Sequence, residues 1–216
     1  TGAKILLDTL YSGVEDRLMS DVPVGTVLSG GLDSSLLAVL AKQVSDNSGL
    51  ETPECWTVAG NEENPDMLAA IDVAKSNDLE HHKLIIDKDK FWNTLPSFVW
   101  SGEDLDVSVL FWQPLFEKMS EKVKVGICGQ GADELHAGYS RYKNLPKHAE
   151  LIDQRLSLLG NFSIDESSVG VGQPWINTNF SAKHNFSNLG KSLQFEIDRG
   201  QLTNFQLRLG DRHSMA

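Results

Sequence analysis

Apolar positions along this chain follow two rhythms. Between Ile5 and Ser20, Leu7, Leu10, Val14 and Leu18 fall on one helical face, while Asp8, Glu15, Asp16 and Arg17 lie mostly elsewhere. Pro23 breaks that pattern, and the apolar run from Val22 to Leu28 reads as a buried strand. A second helix opens at Asp33, carries Leu36, Leu37, Val39 and Leu40, and runs to about Val44 before Asn47-Ser48-Gly49 ends it. Cys55-Trp56-Thr57-Val58 is a short β-rich run. Met67, Ala70, Ile71 and Ala74 then mark one face of a helix over 66–77, and a third strand follows from His81 to Ile86. Helices over 88–100 and 107–121 precede a fourth strand, Val123 to Cys128. Strands alternating with helices at this spacing predict βαβ units, and right-handed crossovers make the sheet parallel and doubly wound: an α/β fold. After Gly138 the rhythm weakens. A helix is expected over 151–159 and another over 193–209, interrupted at Gly200, while 160–191 is rich in Gly, Ser and Asn and reads as loop. The expected organisation is an α/β core over 1–145 and a helical and loop extension over 146–216.

The stretch between the first strand and its helix carries the first chemistry. Ser29, Gly30, Gly31, Leu32, Asp33, Ser34 and Ser35 form a strand–glycine–helix transition. Glycines allow close approach of an anion, and the free N–H groups and dipole at a helix start favour phosphate there. The Gly-Lys-Ser/Thr ending of a Walker A loop is missing. The run resembles the pyrophosphate loop of enzymes that cleave ATP between its α and β phosphates. A well-capped strand-to-helix turn would use the same residue types. Asp33 would repel phosphate unless a cation lay between them, which implies Mg²⁺.

Composition narrows the classes. The net charge of −11 disfavours a nucleic-acid partner, tRNA included. No apolar run reaches the roughly 20 residues of a membrane span, and no signal peptide is visible, so a cytoplasmic location is expected. Cys55 and Cys128, both in apolar runs, are expected to be buried free thiols of a reducing compartment. The Asn-Phe-Ser sequons at Asn161, Asn179 and Asn185 are read as chance matches without a secretory signal.

A second glycine turn, Gly129-Gln130-Gly131-Ala132-Asp133-Glu134, follows the fourth strand. Ligands of open parallel sheets sit at the carboxyl ends of strands, so the two turns are expected to face one cleft. Asp33 and Asp133 are the candidate catalytic and metal-binding carboxylates, suited to a Mg²⁺ ion on a triphosphate. An N-cap role is the alternative for Asp133, and a solvated first-turn acid the alternative for Glu134.

Three motifs together are specific. They are Ser20-Asp21-Val22-Pro23-Val24-Gly25 running into Ser29–Ser35; Gly129–Leu135 with Gly138-Tyr139-Ser140-Arg141-Tyr142; and Asp211-Arg212-His213-Ser214-Met215-Ala216. In this order they resemble the synthetase domain of the glutamine-hydrolysing asparagine synthetase family. The resemblance implies a pyrophosphatase-type α/β fold like that of the adenine nucleotide alpha-hydrolases. It implies ATP and Mg²⁺ as cofactors, adenylation of the aspartate side-chain carboxylate, and attack by ammonia to give asparagine, AMP and pyrophosphate. The family's adenine and ribose contacts, largely backbone, map near Val27, Leu28, Val58, Cys128 and Gly129. Its pyrophosphate contacts map onto Ser29, Gly30, Gly31, Leu32, Ser34 and Ser35, its intermediate-forming position onto Gln130, and its metal positions onto Asp33 and Asp133. A glutaminase domain or subunit is the implied partner, with a homodimer also compatible.

Departures from the pattern keep other readings open. Glutamate is usual at Gln130, serine at Cys128, phenylalanine at His136, glycine at Ala137 and methionine at His213. Glu103-Asp104-Leu105 replaces the expected Asp-Glu-Pro. The nucleophilic cysteine of glutamine hydrolysis is absent from the chain, so glutamine hydrolysis is not expected of it. A relative that closes β-lactam or peptide rings, or a partial nucleotide-binding module, shares the same core. His81 and His82 should alternate across a strand, one packed and one exposed, with no third metal ligand nearby. Tyr139, Arg141 and Tyr142 are candidates for substrate binding or for an interface, and Trp100, Phe111 and Trp112 for the core.

Overall fold

The computed structural model describes residues 2–103, 110–159, 188–198 and 201–215. They form two compact units, one of residues 1–130 with 206–216 and one of residues 131–205. Because of those bounds, the helix expected over 107–121 is described only from 110, and 160–187, with its three sequons, lies outside the described residues.

The first unit is built on a four-stranded parallel sheet with the order β3-β2-β1-β4. The strands are β1 (Val24–Val27), β2 (Glu54–Ala59), β3 (His81–Ile85) and β4 (Val125–Ile127). Helix α1 (Gly2–Leu18) precedes them, and α2 (Leu32–Ser48), α3 (Pro65–Ser76), α4 (Lys88–Gly102) and α5 (Trp112–Ser120) connect them. β1 pairs with β2 through Thr26 and Cys55, and with β4 through Gly25 and Gly126. The chain therefore steps outward from β1 to β3, then returns to the far side of β1 for β4. That reversal is the topological switch point, and the expected doubly wound α/β architecture is borne out.

Alternation along β2 explains why both faces are covered. Cys55 joins Leu28, Ala38, Ala70, Ala74 and Leu79 beneath α2 and α3. Trp56 and Val58, one residue out of phase, join Leu115, Met119 and Val123 beneath α5. Val14 and Leu18 of α1 pack on Leu40, Ala41 and Val44 of α2. Gly25 lies under the Trp56 indole, where a Cβ would overlap the ring. α2 stops where predicted, on Gly49 in the left-handed conformation with φ 67°.

β4 is shorter than its apolar run. Among the described residues it pairs only with β1, and Val125 is exposed. Position at the sheet edge likewise exposes Cys128, which was expected to be buried, while both cysteines are free as expected. Trp100, expected in the core, is 86% exposed on α4. No helix among the described residues is long and apolar enough to cross a membrane.

The second unit contains α6 (Ala132–His136), a 3₁₀ turn (Ser140–Lys143), α7 (Leu145–Leu159) and α8 (Leu189–Asp198). Both longer helices start earlier than the apolar rhythm indicates, because asparagines cap them. Asn144 Oδ1 accepts the Lys147 N–H at 3.1 Å, and Asn188 Oδ1 accepts the Lys191 N–H at 3.0 Å. A π-helical stretch, Leu202–Leu207, replaces the interrupted α-helix and leads into α9 (Arg208–Ser214), which returns to the first unit against α4 and α5.

Candidate functional site

The loop after β1 is shaped by a few specific bonds. The Leu28 N–H donates to the Trp56 carbonyl at 2.8 Å, and the Leu28 carbonyl accepts the Thr57 hydroxyl. Leu28 is fully buried, so its backbone is anchored to β2 and its side chain belongs to the core. Gly30 then turns with φ +78°, and a Cβ there would lie 2.5 Å from the Asp66 carbonyl oxygen and 2.8 Å from the Ala70 nitrogen of α3. Only glycine meets both demands.

Serines close the loop. The Ser29 N–H donates to Ser34 Oγ at 3.0 Å, the two hydroxyls lie 2.8 Å apart, and Ser34 Oγ donates to the Gly31 carbonyl at 3.3 Å. Gly31 is the N-cap of α2 and supplies no side-chain cap. The first-turn N–H groups of Leu32, Asp33 and Ser34 are therefore left for a ligand, at the positive end of a 17-residue helix. Leu32 itself is 82% exposed, an apolar side chain at the mouth of the loop. Ser35 Oγ is buried without a partner.

β4 delivers its turn to the same place. A Cβ on Gly129 would lie 3.2 Å from the Ser34 nitrogen and 3.3 Å from the Asp33 Cβ. Gly129 therefore packs on the start of α2, and the sequence-nominated residues Ser29 to Ser35, Cys128 and Gly129 come together. Among the described residues no cation pairs with Asp33, which is half-buried. A free carboxylate beside serine hydroxyls is a donor set that suits a hard cation such as Mg²⁺.

A cavity of about 530 Å³ opens at the end of β1 and along β4 and its turn. Val27, Cys128 and Gln130 line it, as do Trp112 and Phe116 of α5 and Asp211 and Ser214 of α9. Val58 packs on the cluster beneath α5 and does not line the cavity. Trp112 was missed at the sequence level as a cavity wall. Nothing in its neighbourhood marks it, because the wall forms only when α9 lies against α5, where a Cβ on Gly210 already sits 3.3 Å from the indole.

In the second unit, Asp133 is not the N-cap of α6; Gly131 is, with φ 96°. Asp133 lies in the first turn and folds back so that its carboxylate occupies the space a Cβ on Gly138 would need. Glu134 is 1% exposed, not a solvated acid, and its Oε1 accepts the Tyr139 hydroxyl at 2.7 Å. Arg141 lies 4.0 Å over the Tyr139 ring and 3.3 Å from Glu196 of α8. That ion pair ties the motif to its own unit.

The histidine pair also departs from expectation. His81 contacts the Thr57 hydroxyl at 2.7 Å, and burial, with the nearby Lys83 and His82, holds its pKa below the ordinary value. His82 stacks on Trp56 and meets Glu54 at 2.6 Å. Both rings are thus partly buried. Glu54 and Glu80 do stand near His82, with ligand atoms within 4.8 Å of one another. Sequence spacing could not show this, because Glu54 arrives from β2. Lys122 Nζ fills the centre, 3.0 Å from Glu54, 3.6 Å from Glu80 and 3.4 Å from His82. Burial raises the Glu54 pKa, but Lys122 and His82 outweigh it and hold the carboxyl low. The cluster is a closed ion network.

Fold and loop together define a parallel α/β protein with a glycine-serine turn and an uncapped helix start at its switch point. The asparagine synthase family model matches residues 6–208, and the chain belongs to that family. It is similar to a probable glutamine-hydrolysing asparagine synthetase of Schizosaccharomyces pombe, 32% identical over 171 residues, which are 69% of this chain and 31% of that protein. Asparagine synthetase B of Escherichia coli is 30% identical across 71% of this chain and 30% of its own length. The chain thus spans about a third of the curated relatives it matches. Among solved structures, an NH3-dependent NAD synthetase from Campylobacter jejuni overlaps 64% of this chain and 61% of its own, at TM-score 0.45 and 19% identity.

Proposed function

We propose that this chain is the adenylating part of an ATP-dependent amide-forming ligase, which activates the side-chain carboxylate of aspartate for attack by ammonia and releases AMP and pyrophosphate. The observation that carries the reading is the loop itself: a glycine-serine turn, uncapped, at the N-terminus of α2, with Gly129 packed on it. In this reading the N–H groups of 32–34 and the serine hydroxyls hold the pyrophosphate, and Val27, Cys128 and Gly129 flank the nucleoside. Leu28 and Val58 support that wall from the core.

Asp33 would hold Mg²⁺, and the ion, when bound, would draw charge from the leaving pyrophosphate. Asp133 is assigned the matching role on its motif alone. Gln130, at the cavity wall, is neutral where the family pattern has an acid. It can orient a carboxylate or an amine by hydrogen bonds but cannot take up a proton. Ammonia would come from a glutaminase domain or subunit, and two free cysteines fit a reducing compartment such as the cytoplasm.

One observation favours a second reading, a relative acting on another carboxylate. Apart from Lys124 and Asp211, the cavity beside Gln130 is lined by uncharged residues, Trp112, Phe116 and Met119 among them. An amino-acid substrate with two carboxylates meets a single cation there. Calorimetry with ATP and Mg²⁺ tests the shared part of both readings: micromolar-to-millimolar binding is expected, weakened at least about tenfold in Asp33→Ala. Equal binding by the two proteins would remove Asp33 from the site.

A further inference from the structure

Helix α9 is held on α4 by a buried imidazole that makes no hydrogen bond. His213 is 2% exposed, and its ring stacks on Phe98 at 4.3 Å with planes 12° apart. Neither Nδ1 nor Nε2 has a partner. A Cβ on Gly102 would lie 2.8 Å from Nε2 and 2.9 Å from Cε1, so the α4 backbone closes over the ring. The slot fits a neutral ring and offers nothing to an imidazolium. By family resemblance this position usually holds methionine, which needs the same apolar slot but cannot take a proton.

The charges around the ring reinforce this. From α9 itself comes Arg212, whose guanidinium donates to the Gly102 carbonyl at 2.6 Å. From the end of α4 comes Glu103, already 3.5 Å from that same guanidinium. α5 packs on α9 through the Trp112 indole at Gly210, an uncharged contact. Asp211 points the other way and lines the cavity, as do Gly210 and Ser214. Among the described residues no carboxylate pairs with the ring, and the charge that acts on it, Arg212, is of the wrong sign. Burial first, then Arg212, holds its pKa below the ordinary 6.5.

We propose that His213 makes the docking of α9 on α4 acid-labile, so that protonating it frees α9 and removes one wall of the cavity at the end of β1. The release stands on the packing alone; its effect on ligand binding rests on the function proposed above. The sign follows from linkage. Above pH 6.5 the ring is neutral docked or free, and docking does not depend on pH. Below it the freed ring binds a proton that the docked ring refuses. Docking then weakens by up to about tenfold per pH unit, until the docked ring titrates as well.

Hydrogen exchange of the peptide covering 208–214 reads the release directly. Rates corrected for intrinsic chemistry are expected to rise several-fold in the wild-type chain between pH 7.5 and pH 5.5, approaching about tenfold. His213→Met and His213→Phe should be flat over the same range. His81→Gln, which removes the other ring held below its ordinary value, should keep the wild-type slope. Equal corrected rates at the two pH values in the wild type would overturn the proposal. So would a slope that survives in both His213 variants, or an NMR titration placing the His213 ring at its ordinary value. ATP binding, measured separately at pH 7.5, reports on the proposed site: its absence there would sink that reading while leaving the exchange result to decide the switch.

Discussion

Gly30→Val is expected to lower stability by about 3–5 kcal/mol and to abolish ATP binding. Two costs combine. The residue sits at φ +78°, a region a β-branched side chain avoids. The added Cβ would also meet α3 at the Asp66 carbonyl oxygen, 2.5 Å away, and at Ala69 Cβ and the Ala70 nitrogen, both 2.8 Å away. Two of these are backbone atoms of a packed helix and cannot swing aside. Relief requires the loop to lift from α3, which withdraws Ser29 from Ser34 and reopens the cradle. Against a typical total of about 5–15 kcal/mol the loss is large, and a urea titration should show it as a lower midpoint. A midpoint equal to wild type would mean that the loop does not pack on α3 as described.

Glu196→Leu is expected to be the most damaging single change in the second unit, at about 3 kcal/mol. The carboxylate is 4% exposed and lies 3.3 Å from Arg141 and 3.2 Å from His148, while its Oε2 accepts the Gln201 N–H at 2.9 Å. Removing it leaves the Arg141 guanidinium stacked on Tyr139 with its counter-charge gone. Arg141 keeps 27% of its side chain in solvent, and hydration there holds the cost to the lower end of the range for broken buried pairs. Glu196→Gln, which still accepts from Gln201, should cost less than half as much. Exchange protection in α7, α8 and the 3₁₀ turn checks the ranking. Equal protection in wild type and Glu196→Leu would show that the ion pair does not hold this unit together.

The strands and the glycine-serine turn after β1 were legible because each rests on local chemistry. An apolar run followed by two glycines and a serine-aspartate helix start has one economical geometry, and β1, Gly30 and α2 adopt it. Gly49 ended α2 for the same kind of reason. Asn144 and Asn188 are equally local signals, caps that start α7 and α8 ahead of the apolar rhythm. What stayed hidden depends on neighbours distant in sequence. Cys128 is exposed because β4 is an edge strand, and Glu134 is buried because Tyr139 folds over it. Trp100 points outward although its residue type argued for the core. The Glu54–His82–Lys122 network joins β2, β3 and the turn before β4, and no spacing rule encodes that. The same holds for the cavity, whose far wall arrives about eighty residues after the near one.

The proposed function requires the loop Ser29–Ser35 to position ATP for cleavage between its α and β phosphates. Pyrophosphate release from ATP and Mg²⁺, measured with and without aspartate and ammonium in wild type and Asp33→Ala, tests it most directly. Release is expected to be stimulated by a carboxylate substrate and reduced at least about a hundredfold in the variant. Release of orthophosphate in place of pyrophosphate, or pyrophosphate release unchanged by Asp33→Ala, would contradict it.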